Sequence, residues 1–107
     1  MTSTAAFGIW FTAIEFLGRH PEQGQIAVND MSLPFGGKFD IQKLWTTGDH
    51  ASYSEGKAVD VRGNGATLSV PFALQEEFKM ICREEGAIDA RTENPGTPEQ
   101  HIHCRWP

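Results

Sequence analysis

Residues 100–106 read QHIHCRW and are predicted to form the last strand of this chain. Its histidines and arginine alternate with apolar residues, and a period of two is typical of a β-strand with one polar and one apolar face. In such a strand His101 and His103 project side by side from the polar face. Two imidazoles at this spacing can bind a metal ion or serve a reacting group, although two solvated histidines on a sheet face would give the same pattern.

A second strand is predicted over residues 57–61, which read KAVDV. Asp60 lies there between two valines and shares a face with Ala58. A carboxylate among small and apolar neighbours needs a partner, because burying it unpaired is costly. An arginine or a backbone N–H group would make Asp60 a structural residue, whereas a cation would make it a ligand.

The clearest helix is predicted to begin near Pro71, which fits a first helical turn. Acidic residues sit early, basic residues sit late and Gly86 follows as a stop. The apolar stripe of this helix is Leu74, Phe78 and Ile81, spaced so that one side faces a core.

The remaining segments are less regular. Residues 5–17 are apolar without clean alternation and fit a helix or a buried strand equally well, while Ile26 and Val28 suit a short strand. Residues 92–98 are predicted to form a loop. Short strands and one clear helix in no βαβ order predict an α+β fold, a small antiparallel sheet with helices packed on one side. We expect a single domain over residues 1–107.

Composition excludes some functions and leaves others open. A formal net charge of −5 with scattered basic residues argues against nucleic-acid binding. The apolar segment at residues 5–17 contains Glu15 and is shorter than the roughly 20 residues of a membrane span. Cys82 and Cys104 are too few to define a disulfide framework; they could pair, but two buried thiols are the expected arrangement. The compartment and the oligomeric state stay open.

Two motifs together resemble a zinc peptidase superfamily. The first is HASYSEGKAVD at residues 50–60, and the second is the distal pair His101-x-His103. The superfamily includes murein endopeptidases, D-Ala-D-Ala carboxypeptidases and dipeptidases, and the hedgehog signalling domain. Upstream, NDMSLP at residues 29–34 is similar to penicillin-insensitive murein endopeptidases, and HIHC at residues 101–104 is similar to the hedgehog strand.

The resemblance implies a hedgehog-like or D-Ala-D-Ala-peptidase-like fold and a zinc ion as cofactor. By position, Asp60 and His103 fall on metal ligands, and His101 falls on a histidine beside the metal that assists substrate or transition state. His50 falls on a second active-site histidine of the murein endopeptidase branch, and Tyr53 stands where the first histidine ligand is expected.

Tyr53 leaves three alternatives for the metal site. Imidazole binds zinc at about 2 Å, whereas a phenol must first lose a proton with an ordinary pKa of about 10. Tyr53 could bind as a phenolate, His50 could replace it as the ligand, or the site could have stopped holding zinc.

Peptide hydrolysis also requires a general base. Where relatives carry a glutamate three residues before the last ligand, this chain carries Gln100. On an extended strand Glu99 would share the face of His101 and His103, so Glu99 is the candidate base, with His101 as the other choice.

The resemblance therefore predicts a zinc metallopeptidase that hydrolyses peptidoglycan cross-links or D-amino-acid peptides, and a periplasmic or secreted location if it acts on the cell wall. The alternative is a catalytically impaired relative that binds a cell-wall peptide or a protein partner, and it is motivated by Tyr53 and Gln100. A third, weaker possibility is an α+β domain whose histidines are incidental.

Overall fold

The structure of the chain, a computed structural model, describes residues 3–29 and 57–107. Helix α1 spans Ser3–Arg19 and α2 spans Gln75–Glu84, with single 3-10 turns at Pro21–Gln23 and Phe72–Leu74. The strands are β1 (Val28–Asn29), β2 (Ala58–Arg62), β3 (Asp89–Glu93) and β4 (His101–Arg105). The predicted α+β class with a small antiparallel sheet is confirmed for these ranges.

The four strands are arranged in the order β1-β2-β4-β3, and every neighbouring pair is antiparallel. The strands predicted around Asp60 and around His103 are the two central ones. Their register places Asp60 directly opposite His103, and it places Glu93 of β3 directly opposite His101. Because side chains alternate along a strand, these four residues share one face of the sheet.

The opposite face of the sheet is apolar and packs against the two helices. Its buried residues belong to one hydrophobic cluster with Phe16 of α1 and with Phe78, Ile81 and Cys82 of α2; on the sheet they are Val59, Val61, Ala90, Ile102 and Cys104. The helices therefore cover the apolar face of the sheet. The histidines and carboxylates lie on the opposite, polar face.

Residues 5–17 lie within helix α1, which resolves the ambiguity between helix and strand. The buried positions follow helical spacing, and they are Ala5, Gly8, Ile9, Thr12 and Phe16. The outward side is also rich in apolar residues, with Phe7, Trp10, Phe11 and Ile14 all about half exposed or more, and this obscures the period in the sequence. None of the described helices combines the length and apolar character that a membrane crossing requires.

Two boundaries differ from the predictions. Pro71 does not lie in the first turn of α2, because it precedes a 3-10 turn and the α-helix begins at Gln75. The prediction of a loop over residues 92–98 was wrong for its first two residues, because Thr92 and Glu93 are the last residues of β3. Gly86 follows the end of α2 with a φ of 97°, as expected of a glycine stop.

Trp106 closes the core beside β4, and its side chain is fully buried. Its indole N–H donates a hydrogen bond of 3.1 Å to the carbonyl of Glu85. Gly8 of α1 lies against the ring, since a Cβ atom at this position would be 2.2 Å from Trp106 Cε2. Trp106 is therefore a residue of the hydrophobic core.

Candidate metal centre

Asp60 and His103 form a buried cross-strand pair at the centre of the polar face. His103 Nδ1 lies 3.2 Å from Asp60 Oδ1. The residue exposures are 0% for His103 and 6% for Asp60. The cost of burying this carboxylate is therefore offset at least partly by an imidazole on the neighbouring strand.

Glu93 is a third member of this group that the sequence analysis missed. Its Oε1 atom lies 3.7 Å from His103 Nδ1. Its Oε2 atom accepts hydrogen bonds from Arg91 Nε at 3.3 Å and from Arg91 Nη2 at 3.1 Å. Because Arg91 occupies one carboxylate oxygen, the other oxygen is turned toward the histidines.

The donor chemistry and spacing of Asp60, Glu93 and His103 fit a divalent cation. One donor atom from each residue lies within 4.8 Å of the others, and this is the single such group among residues 3–29 and 57–107. Carboxylate oxygen and imidazole nitrogen are zinc ligands, and bonds of about 2.0–2.2 Å in a tetrahedron separate donors by roughly 3.4 Å. The observed separations of 3.2 Å and 3.7 Å from His103 Nδ1 are close to that value.

His101 lies beside this group, with one ring nitrogen facing it. Its Nδ1–H donates to the backbone carbonyl of Glu99 over 2.8 Å, which leaves Nε2 as the nitrogen that faces the carboxylates. Nε2 is 3.0 Å from Glu93 Oε1 and 3.5 Å from Asp60 Oδ2. The imidazole is therefore oriented by the turn that precedes β4.

The charges around His101 favour its protonated form in the metal-free chain. Burial lowers the pKa of His101, but the Glu99 carbonyl and the carboxylates of Asp60 and Glu93 outweigh burial and raise this pKa above 6.5. Burial likewise raises the pKa of Glu93, but the hydrogen bond with His101 and the electrostatic effects of His103 and Arg91 leave this pKa below its ordinary value of 4.5. The two shifts reflect the mutual attraction of ionised Glu93 and protonated His101.

Glu93→Gln is expected to lower the pKa of His101 in the metal-free protein, because it removes a carboxylate while burial of the ring is retained. With its pKa raised, His101 contributes stability that is complete below pH 6.5 and is lost as the pH rises through the folded-state pKa, so the variant should lose part of this pH dependence.

An NMR titration of the His101 ring with chelator present measures this pKa directly. Glu99→Gln is the matched control, because His101 contacts the backbone carbonyl of Glu99 and that carbonyl is retained. An unchanged His101 pKa in Glu93→Gln would contradict the ion pair.

The remaining predicted site residues have different positions. His50 and Tyr53 lie outside the described residues. Glu99 does not lie on the strand as its proposed alignment with His101 required, because β4 begins at His101 and Glu99 is an exposed residue of the preceding turn. It nevertheless lines, with Asp60 and His101, a cavity of about 170 Å³ beside the candidate centre.

Gln100 stands at the position where members of the resembled superfamily carry a glutamate. Its side chain is hydrogen-bonded to neighbouring residues. Its Nε2 donates to Gln75 Oε1 at 3.1 Å, and its Oε1 accepts from the backbone N–H of Gly96 at 2.7 Å. Both ends of this amide are therefore engaged, and an amide supplies no general base at neutral pH.

The sequence DARTE at residues 89–93 contains a pattern that predicts Glu93 on the charged face of a strand. Asp89, Arg91 and Glu93 alternate there with Ala90 and Thr92, which is the period of a strand with a charged face. The assignment of a loop from residue 92 onward concealed it.

No protein-family model, no curated protein and no solved structure matches the chain.

Proposed function

We propose that Asp60, Glu93 and His103 hold a zinc ion and that the chain is a metallopeptidase-like domain acting on peptidoglycan cross-links or short D-amino-acid peptides. The observation that carries the proposal is the convergence of two carboxylates and one imidazole on one sheet face, with His101 beside them. Glu93 joins the ligands implied by the resemblance, and Tyr53 or His50 stays a candidate for a further ligand.

The proposed likeness to the hedgehog and D-Ala-D-Ala-peptidase fold is supported by the placement of Asp60 and the His101-x-His103 pair. Asp60 and the His101-x-His103 pair lie far apart in the sequence but on hydrogen-bonded neighbouring strands. Among the described residues, the helices pack on the other face of the sheet, and the cavity lies on the polar side beside the centre.

Zinc at this centre would supply Lewis-acid polarisation of a peptide carbonyl and activation of the attacking water. Protonated His101 can donate from Nε2 to oxygen that gains negative charge in the transition state, because Nδ1 is already held by the Glu99 carbonyl. Neutral His101 can accept a proton at the same nitrogen. The hydrogen bond with His101 and, to a smaller extent, Arg91 lower the pKa of Glu93, and Arg91 also fixes its orientation. The exposed Glu99 can exchange protons with solvent.

The second candidate is an impaired relative that binds a cell-wall peptide or a protein partner without hydrolysing it. It is favoured by Tyr53 at the expected position of a histidine ligand and by Gln100, whose amide is engaged by Gln75 and Gly96. This candidate keeps the metal centre but loses turnover.

A digestion assay separates the two candidates. We expect the zinc-loaded native chain to release peptides from purified peptidoglycan, and we expect Asp60→Asn to abolish this release because it removes a ligand charge. Tyr53→His is the second arm. Hydrolysis that appears only in Tyr53→His would identify the native chain as the impaired relative, and absence of hydrolysis and of peptide binding in both proteins would reject both candidates.

A further inference from the structure

Cys82 of α2 and Cys104 of β4 meet inside the core. Their Sγ atoms are 2.8 Å apart, although the residues are separated by 22 positions in the chain. Both residues are free cysteines with an exposure of 0%, and both belong to the hydrophobic cluster between helix and sheet. The packing of α2 on β4 thus brings together the only two cysteines of the chain.

The geometry points to a covalent link between these residues: we propose that Cys82 and Cys104 form an intramolecular disulfide when the chain folds in the presence of a disulfide oxidant. A bond of about 2.03–2.05 Å requires the sulfur atoms to approach by less than about 1 Å from their present separation. The elements that carry them are already packed against each other, so closure requires no change in topology.

The reaction is thiol–disulfide exchange with a small disulfide such as oxidised glutathione. The thiolate of one cysteine attacks the small disulfide, which forms a mixed disulfide and releases one small thiol. The second cysteine then attacks the protein sulfur of that mixed disulfide, and the other small thiol leaves. The two protein thiols are oxidised by two electrons, and the small disulfide is reduced to two thiols.

Burial decides when this exchange takes place. Both sulfur atoms are shielded in the folded chain, so the oxidant reaches them before the core closes or during local opening. Once formed, the link joins α2 to the strand that carries His101 and His103, because Cys104 follows His103 directly. The disulfide would therefore restrain β4 from the apolar side of the sheet, whether or not the polar face holds a metal.

The test is oxidative refolding of the full chain. Reduced, unfolded protein is refolded with oxidised and reduced glutathione, then unfolded and alkylated without reductant, and the labels are counted by mass spectrometry. We expect no label and a mass lower by two hydrogen atoms, against two labels in a sample refolded with reductant alone. The melting temperature of the oxidised monomer should fall by roughly 10–20 °C on reduction.

Cys82→Ala/Cys104→Ala is the matched control, and its melting temperature should not respond to reductant. Two labels in the oxidatively refolded native chain would overturn the proposal, as would a disulfide-linked dimer on a non-reducing gel or a retained glutathione adduct. The label count uses the native chain alone, so it decides the question even if the double variant does not fold.

Discussion

Replacing His103 by alanine is expected to lower the zinc affinity of the chain by more than about 100-fold, since the loss of an outer partner of a ligand already costs roughly 10–100-fold. His103 is the one imidazole in the candidate donor set, and its Nδ1 lies within 3.7 Å of both carboxylates. Calorimetric titration of metal-stripped protein with zinc measures the affinity, and elemental analysis after dialysis measures the stoichiometry.

Two matched controls make this experiment specific. His20→Ala removes a histidine that pairs with Glu77 and packs at a tilt against Phe16, away from the polar face, and it should leave zinc affinity unchanged. Glu93→Gln should weaken zinc binding while Glu99→Gln should not, because Glu93 belongs to the donor set and Glu99 is an exposed turn residue. Equal zinc affinities in the native chain and His103→Ala would show that Asp60, Glu93 and His103 do not form a zinc site.

Gly8→Ala is expected to lower the free energy of unfolding by about 3 kcal/mol, at the upper end of the range for overpacked cores. The added Cβ atom would lie 2.2 Å from both Cε2 and Nε1 of Trp106, a ring that is fully buried. The gain of roughly 0.5–1 kcal/mol in helix propensity is too small to offset this clash.

Gly18→Ala is the control on the same helix and should have the opposite sign. Nothing lies within 4 Å of a Cβ atom at that exposed position, so only the propensity gain of about 0.5–1 kcal/mol applies. Urea unfolding monitored by circular dichroism measures both variants. If Gly8→Ala were as stable as Gly18→Ala, α1 would not pack on Trp106 as the structure describes.

The helices and strands could be predicted to different degrees because their surroundings differ. β4 has an apolar and a polar face, so its alternation is visible in seven consecutive letters, QHIHCRW. α1 is apolar both inward, at Ile9 and Phe16, and outward, at Trp10 and Ile14, so its helical period could not be separated from a buried strand. A periodic signal requires contrast between faces, and α1 offers little.

The residues of the candidate centre could also be predicted only in part. Local alternation predicts that Asp60 lies on one strand and that His101 and His103 share a face of another, because side-chain direction along a strand is set by sequence position. Strand pairing in the folded chain brings Asp60 to the histidines and selects the second carboxylate. Glu99, the nearer residue in sequence, lies in a turn, whereas Glu93 reaches the histidines because β3 pairs with β4 in a register that sets it opposite His101. Strand order and register depend on how the whole apolar face packs under the helices, and no local pattern contains that information.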